Sequence, residues 1–400
     1  TIVDKNRERI SQVSNIYDVM GIAGNGASYK ILQEAGIDDA DLIIAVTGSD
    51  ELNLLCCTIA TQVGNCAAIA RVRTPEYSQE AKYLRDKLGL ALIINPELEA
   101  AIEMAHILHL PSSLEVTNFA HGQAQLIKYE IPEGSILDGT KLMDLGTRHH
   151  ANILIGAVER DDEVTIPSGD FVLRKGDKLS FVGERRHTKE FFSHIGVNTH
   201  SVKNTLIIGG GKAAYYLAKQ LISRGIKVKI IENSFERCEE LSILLPDAVI
   251  INGDGTEQAL LKEEGIETCQ SFVPLTGIDE ENIMLTLYAK QVSNAKVITK
   301  LNRITFTNVI NSLDLGSVIS PKYITSEAII AYVRAKKNSM NCNIETLYHM
   351  YDSRVEAIEF FVSENSNVTD IPLRDLKLKK HLLICFINRN GKIIIPTGND

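Results

Sequence analysis

Around residue 205 the chain changes pattern three times within thirty residues. Thr205–Ile208 is a short apolar run of strand type, broken by Gly209-Gly210-Gly211. Ala214, Leu217, Ala218 and Leu221 then recur at helical spacing, and Gly225 is placed to stop that helix. Val228–Ile231 is a second apolar strand, closed by an acid, Glu232. The first hundred residues alternate in the same way. Apolar strands Leu42–Val46, Ala67–Val72 and Ala91–Ile94 are separated by the helical stretches Ala27–Ala35, Asp50–Val63 and Tyr77–Leu88. Strands spaced by helices predict a parallel sheet with helices on both faces. Pro96 and Pro111 bracket one more helix, Glu97–Leu110, with apolar Leu98, Ile102, Ala105 and Leu108. Beyond it, the short strands Leu126–Tyr129, Ile153–Val158, Val164–Ile166 and Leu179–Val182 read as a compact α+β module.

The pattern occurs twice. Thr47-Gly48-Ser49-Asp50-Glu51-Leu52-Asn53 matches Thr276-Gly277-Ile278-Asp279-Glu280-Glu281-Asn282, 229 residues on. Gly24-Asn25-Gly26 matches Gly253-Asp254-Gly255, Arg71 matches Lys300, and Pro167-Ser168-Gly169 matches Pro396-Thr397-Gly398 at the same offset. Asp4 matches Glu232 one residue out of step. Such a register predicts a tandem duplication of a unit of about 230 residues. The expected domains are 1–112 and 200–340, each a Rossmann-like doubly wound parallel sheet, followed by small α+β modules at 113–199 and 341–400. The glycine stretch of the second copy has no counterpart ahead of Thr1. The second copy also stops before a match to Phe171–Gly183. The expectation is a piece of a longer protein, short of about 30 residues in front and of a strand or more behind, which leaves the last module truncated.

Composition narrows the class of function. The chain has 400 residues, 44% hydrophobic and 23% charged, an ordinary globular balance. A formal net charge of −9 argues against a nucleic-acid surface and against a polybasic membrane patch. No apolar run reaches the ~18 residues needed to span a bilayer, and no signal peptide is visible. The seven cysteines form no C-x-x-C and read as buried, reduced thiols. The pair His149-His150 reads as a polar turn rather than a metal site.

The chemistry follows from the glycine stretch. Gly209-Gly210-Gly211-Lys212-Ala213-Ala214 fits G-x-G-x-x-A between a strand and a helix. Gly209 allows the tight turn, Gly211 lets backbone approach a pyrophosphate, and Ala214 lets the helix lie close to the strand. Free N–H groups from Lys212 onward face an anion. Glu232, and Asp4 in the first copy, lie where a carboxylate takes ribose hydroxyls, which favours NAD or an adenine nucleotide over NADP. Gly24-Asn25 and Gly253-Asp254 turn near the base, Thr47 and Thr276 end the fourth strand, and Arg71 and Lys300 end the fifth as candidate phosphate cations. A doubly wound domain whose turn needs glycine and binds nothing is the plain alternative. No G-x-S-x-G, no P-loop motif and no evident general base accompany the fold, so no catalytic residue is assigned.

Two copies of Rossmann-like domain plus small α+β module resemble the TrkA family, built of RCK (regulator of potassium conductance) domains. The strings that carry the likeness are Ile2-Val3-Asp4, Gly24-Asn25-Gly26, Leu32-Gln33-Glu34-Ala35-Gly36, Ala45-Val46-Thr47 with Asp50-Glu51 and Asn53, and Ala70-Arg71-Val72-Arg73-Thr74-Pro75-Glu76-Tyr77. Gly209–Ala214 and Gly253-Asp254-Gly255-Thr256 carry it in the second copy. The resemblance implies a non-enzymatic cytosolic subunit, peripheral on the inner membrane face, that binds NAD, NADH, ATP or ADP. It implies self-association into a dimer or tetramer ring, a potassium-translocating membrane subunit of the Trk type as partner, and no nucleic acid. It places phosphate at Gly209, Gly211 and Ala214, ribose at Glu232 and Asp4, adenine beside Asp254 and Asn25, and phosphate beside Arg71 and Lys300. The second copy departs from the pattern at Leu301-Asn302-Arg303. The competing readings are an NAD-dependent oxidoreductase and a nucleotide-sensing module of another exchanger or of a transcriptional regulator.

Overall fold

A computed structural model describes residues 1–110, 113–148, 152–197, 200–303, 307–337, 343–351, 354–363, 366, 368–376 and 381–400. His149, His150 and Cys342 lie outside the described residues. The chain divides into two compact units, Thr1–Glu99 and Ala100–Asp400.

The first unit holds five parallel strands in two sheets. Strands β1 (Ile2–Asp4) and β2 (Gly21–Ala23) pair with each other, and β3 (Leu42–Ala45), β4 (Ala67–Arg71) and β5 (Leu92–Ile94) form a second sheet in that order. The one parallel sheet expected from the sequence is therefore two here. Helix Asp50–Val63 starts because Ser49 caps it, its hydroxyl accepting from the Leu52 N–H at 3.1 Å, with Asp50 and Glu51 complementing the positive end of the helix dipole. Its buried face, Cys56, Cys57 and Ala60, covers β3 and β4. The small residues Ala68 and Ala70 on β4 let the helix lie close. The stretch expected as one helix, Tyr77–Leu88, is two, Pro75–Gln79 and Ala81–Leu88. Pro75 starts the first because its missing N–H costs nothing there, and the backbone leaves helical angles at Glu80.

Among the described residues of the second unit, the two larger sheets differ in kind. Strands β6 (Glu115–Phe119), β7 (Ala124–Glu130), β8 (Leu154–Arg160), β9 (Glu163–Thr165) and β10 (Lys178–Glu184) form an antiparallel sheet in the order 6-7-10-8-9. Strand β6 was not foreseen, since Glu-Val-Thr-Asn-Phe offers little apolar signal. Helix Arg185–His194 lays Phe191 and Phe192 against Phe181 and Tyr129, edge to face at 5.3–5.7 Å.

The parallel sheet runs β11 (Asn204–Ile208), β12 (Lys227–Glu232), β13 (Val249–Asn252), β14 (Ser271–Pro274), β15 (Lys296–Lys300) and β16 (Ser317–Ile319). Its order is 13-12-11-14-15-16. The strand order reverses between β11 and β14, and in such sheets the crevice at the carboxyl end of that reversal takes the ligand. Apolar Leu206, Ile208, Ile231, Phe272 and Val297 form the core with Leu261, Leu285 and Ala289 from the covering helices. The two sheets are stitched together by Lys296 Nζ, which donates to the Ser113 carbonyl at 2.6 Å, and by Ser317 Oγ, which donates to the Leu114 carbonyl at 2.6 Å.

Two hairpins follow, β17 (Asn343–Met350) with β18 (Val355–Phe361), and β19 (Ile387–Arg389) with β20 (Lys392–Ile394). Met350, Tyr351 and Ile393 bury themselves against Phe119, Leu126, Ala157 and Val182 of the antiparallel sheet. Tyr351 and Ser180 share a buried hydrogen bond of 2.7 Å, and Glu359 accepts from the Ala120 N–H at 2.9 Å.

Candidate functional site

The site is built at the end of β11. Gly209 has φ +93°, a left-handed conformation that disfavours side chains, and an added Cβ would meet the Leu275 carbonyl at 3.1 Å and the Thr276 N at 3.2 Å. Helix Lys212–Ile222 begins at once, with Ala214, Leu217, Ala218 and Leu221 fully buried on the sheet. A Cβ on Gly211 would meet nothing within 4 Å, so the backbone there faces open space. Lys212, half-buried, occupies the first helical position. Gly225, at φ +76°, ends the turn after the helix.

Glu232 lies beside this loop. One carboxylate oxygen accepts from the Gly210 N–H at 2.6 Å and the other from the Ser234 N–H at 2.8 Å. Arg237 Nε donates to the Gly210 carbonyl at 2.7 Å. Gly210 is thus held at both its amide and its carbonyl. A Cβ on it would come within 2.6 Å of Leu241 Cδ1 and 3.0 Å of Glu232 Oε2. The middle glycine was given no role by motif spacing, yet it has the tightest surroundings of the three.

The remaining candidates sit at matching places in the two copies. The Gly24 N–H donates to the Asp4 carbonyl at 2.9 Å and the Gly253 N–H to the Glu232 carbonyl at 3.0 Å. A Cβ on Gly24 would strike Ile31, and one on Gly253 would strike Leu260. Asp4 Oδ1 accepts from the Asn6 N–H at 2.8 Å, while Arg9 stands 3.7 Å from the other oxygen. Asn25 Oδ1 accepts from the Ala27 N–H at 3.2 Å. Asp254 Oδ1 takes the Thr256 N–H at 2.9 Å and its hydroxyl at 2.7 Å, which hold the Asp254 carboxyl below its ordinary pKa. Thr47 and Thr276 turn their hydroxyls onto the Ser49 and Ile278 carbonyls, at 3.2 and 3.1 Å. Arg71 Nη2 donates to the Val46 and Thr47 carbonyls at 3.0 and 2.7 Å, and Lys300 Nζ to the Leu275 carbonyl at 3.2 Å. Burial, then the nearby Arg73, lowers the Arg71 pKa, and its Nε is buried without a hydrogen-bond partner.

Two further pairs frame the sites. Asn53 and Asn282 are completely buried. Asn53 accepts from the Thr47 N–H at 2.7 Å and donates to the Arg71 carbonyl at 2.8 Å; Asn282 accepts from the Thr276 N–H and donates to the Lys300 carbonyl, both at 3.0 Å. Each amide therefore clamps the end of one strand to the end of the next, β3 to β4 in the first copy and β14 to β15 in the second. Asp50 accepts from the N–H groups of Arg73 and Thr74 at 2.8 and 2.7 Å and from the Thr74 hydroxyl at 2.7 Å. Asp279 accepts from Asn302 N at 2.8 Å, Asn302 Nδ2 at 2.9 Å and Arg303 N at 2.8 Å. The sequence displayed these residues as a repeated motif. The Arg71 and Lys300 carbonyls lie 18 positions from their amides and Thr74 lies 24 from Asp50, where no local spacing shows them.

A dinucleotide or adenine nucleotide fits this arrangement. The open backbone at Gly211 leaves a cradle for phosphate, and the carboxylate of Glu232 stands beside it for hydroxyl donors. The described cysteines are unpaired by disulfides, with Cys56, Cys57, Cys66 and Cys238 buried. Burial pushes the Cys57 thiol up to about 12. Among the described residues no cluster of three or more His, Cys, Asp or Glu could hold a metal ion, and no helix is long and apolar enough to cross a membrane.

The TrkA-N domain matches residues 1–96 and 205–321, and the TrkA-C domain matches residues 126–196. The Trk system potassium uptake protein TrkA homolog 1 of Methanosarcina mazei is 33% identical over 406 aligned positions, covering 100% of this chain and 88% of that protein. The GsuK RCK domain superimposes with a TM-score of 0.66 at 18% identity, over 86% of this chain and 73% of that one. The GsuK channel bound to NAD superimposes with a TM-score of 0.64 at 19% identity, over 86% of this chain and 61% of that one. Matched twice by the first domain model and aligned from end to end with that relative, the chain belongs to the TrkA family.

Proposed function

We propose that this chain is a regulatory, nucleotide-sensing subunit of a potassium uptake system. It binds NAD(H), or ATP or ADP, at the carboxyl end of the six-stranded parallel sheet. The observation that carries the reading is the meeting of three features at the strand-order reversal: the left-handed Gly209, the open Gly211 and the Glu232 carboxylate seated on the Gly210 N–H. Phosphate binds the helix start at Gly211–Lys212, and the ribose donates its hydroxyls to the lone pairs that Glu232 retains. Ala214 admits the helix close to the sheet, Thr276 and Lys300 line the far wall, and Asp254 stands at the base-side turn.

The first copy offers a second, sister site of Asp4, Gly24, Asn25, Thr47 and Arg71. The unpartnered Nε of Arg71 supports a role toward phosphate. The family name of the relatives supports a part in potassium uptake, and the NAD-bound state of a structural neighbour supports nucleotide binding. The protein works in the cytoplasm, associates with itself as a dimer or tetramer ring, and docks on a potassium-translocating membrane subunit of the Trk type.

Titration calorimetry of the purified chain with NAD, NADH, ATP, ADP and NADP tests this reading. At least one adenine nucleotide binds, NADP binds more weakly than NAD, and Glu232→Ala weakens binding by about tenfold to a hundredfold, the worth of a charge-assisted hydrogen bond. Absence of affinity for all five nucleotides sinks the proposal. Substrate-dependent oxidation of NADH would replace it with an enzyme.

A further inference from the structure

On the second unit, away from the glycine loop, three elements bring basic side chains to one place. Helix Pro96–His109 ends with His106 and His109. Helix Arg185–His194 opens with Arg185 and carries Lys189 one turn later. Arg224 follows the end of helix Lys212–Ile222, opposite the end that begins at the glycine loop. Arg185 Nη2 donates to His109 Nε2 at 2.8 Å, so this imidazole is neutral at that nitrogen and abuts a fixed cation. Burial, and then Lys189, Arg185 and Arg224, lower His109 to about 4; burial, and then Arg224, Arg185 and His109, lower His106 to about 4. Burial and Arg185 lower Arg224 as well. Each of these named neighbouring charges is positive.

Among the described residues no carboxylate pairs with Arg185, Lys189 or Arg224. Glu190 on the same helix is engaged with Arg186 at 2.8 Å, and Glu184 at the end of β10 stands 3.8 Å from His187. Helix Arg185–His194 also lacks a side-chain cap at its N-terminus. Arg185 and Arg224 are exposed and Lys189 is half-buried; the three, two from one helix and one from the end of another, stand without a counterion, and a bound anion relieves their mutual repulsion.

We propose that His109, Arg185, Lys189 and Arg224 form a second anion site, for a phosphate group, distinct from the nucleotide site at the other end of helix Lys212–Ile222. The phosphate belongs to a small soluble molecule or to an anionic lipid headgroup. Arg185 and Arg224 offer guanidinium forks to its oxygens, and Lys189 adds a point charge. Filling the site with negative charge lifts the depression on His109 and His106. Binding is therefore coupled to proton uptake, and it tightens as pH falls from 7 toward 5 by at most about tenfold per pH unit for each proton taken up. The groups that set this response are His106 and His109 on one helix, Arg185 and Lys189 on the second, and Arg224 beyond the third.

The test uses the full chain, the exposed double variant Arg185→Gln/Arg224→Gln, and Lys212→Gln as a control at the nucleotide loop. Inorganic pyrophosphate is titrated at pH 7 and pH 5.5 with saturating NADH present, and vesicles of phosphatidylglycerol or phosphatidylcholine are tested by co-sedimentation. Pyrophosphate binding that tightens at the lower pH, survives Lys212→Gln and falls at least tenfold in the double variant supports a soluble ligand. Retention on phosphatidylglycerol alone, lost in the double variant, supports a headgroup. Binding of neither probe, or equal binding by the double variant and the parent, overturns the site, whatever the nucleotide titration gives.

Discussion

The two copies of the parallel-sheet domain share a scaffold and differ in their charge chemistry. Asn53 and Asn282 make the same three-way bridge between strand ends, and Thr47 and Thr276 close the same turn. Asp50 and Asp279 each accept from two backbone N–H groups, yet Asp50 adds the Arg73 guanidinium at 3.4 Å and the Thr74 hydroxyl where Asp279 adds the Asn302 side-chain amide. Arg71 donates to the Val46 and Thr47 carbonyls, and Lys300 to the Leu275 carbonyl. Buried neutral hydrogen bonds have few substitutes, because any replacement leaves donors stranded, so they survive divergence. Half-exposed charges have many substitutes and diverge.

Three experiments would break or sharpen that contrast. The largest effect falls on the amide clamps. Asn282→Leu strands the Thr276 N–H and the Lys300 carbonyl and costs about 3 kcal/mol; Asn53→Leu costs the same in the first unit. Amide exchange at Thr276 and Thr47 reads each loss locally, and a clear inequality would show that the two scaffolds are not equivalent. The acids should separate next. Asp50→Asn costs about 2 kcal/mol, because it removes a buried, charge-assisted network, and Asp279→Asn about 1 kcal/mol, with denaturant midpoints as the measure. Equal costs would mean that Arg73 adds nothing. The last comparison concerns the glycine loop of the second copy. Gly209→Ala costs about 1–2 kcal/mol, because it forces a side chain into a left-handed backbone against Leu275 and Thr276. Gly211→Ala, with open space and φ −66°, leaves the melting temperature unchanged while weakening nucleotide binding. A loss of stability at Gly211 instead would assign that glycine to packing.

The sequence made the loop legible because all its parts lie within thirty residues: strand, glycines, apolar helix face, strand and acid. It marked Thr47, Asp50 and Asn53 as repeated without revealing why. Their bonding partners lie on the following strand, and a chain read linearly carries no record of which carbonyl an amide will meet. The strands of 113–199 were found where apolar residues alternate and missed at Glu115–Phe119, where burial against hairpin β17–β18 replaces intrinsic preference. The basic cluster at Arg185 escaped notice for the same reason as the clamps. Its members come from helices far apart in the chain, within an overall acidic composition that hides a local excess of cations.

Gly210 is pinned on one side by Glu232 and on the other by Arg237, which rides on helix Phe235–Leu244. A molecule that draws the loop toward itself must therefore pull on that helix or break its tether. At ten residues the helix is a lever of about 15 Å, and its far tip presents Ile243, 81% exposed, to whatever lies outside. An event no larger than the tilt of one peptide would then be felt at the protein's surface.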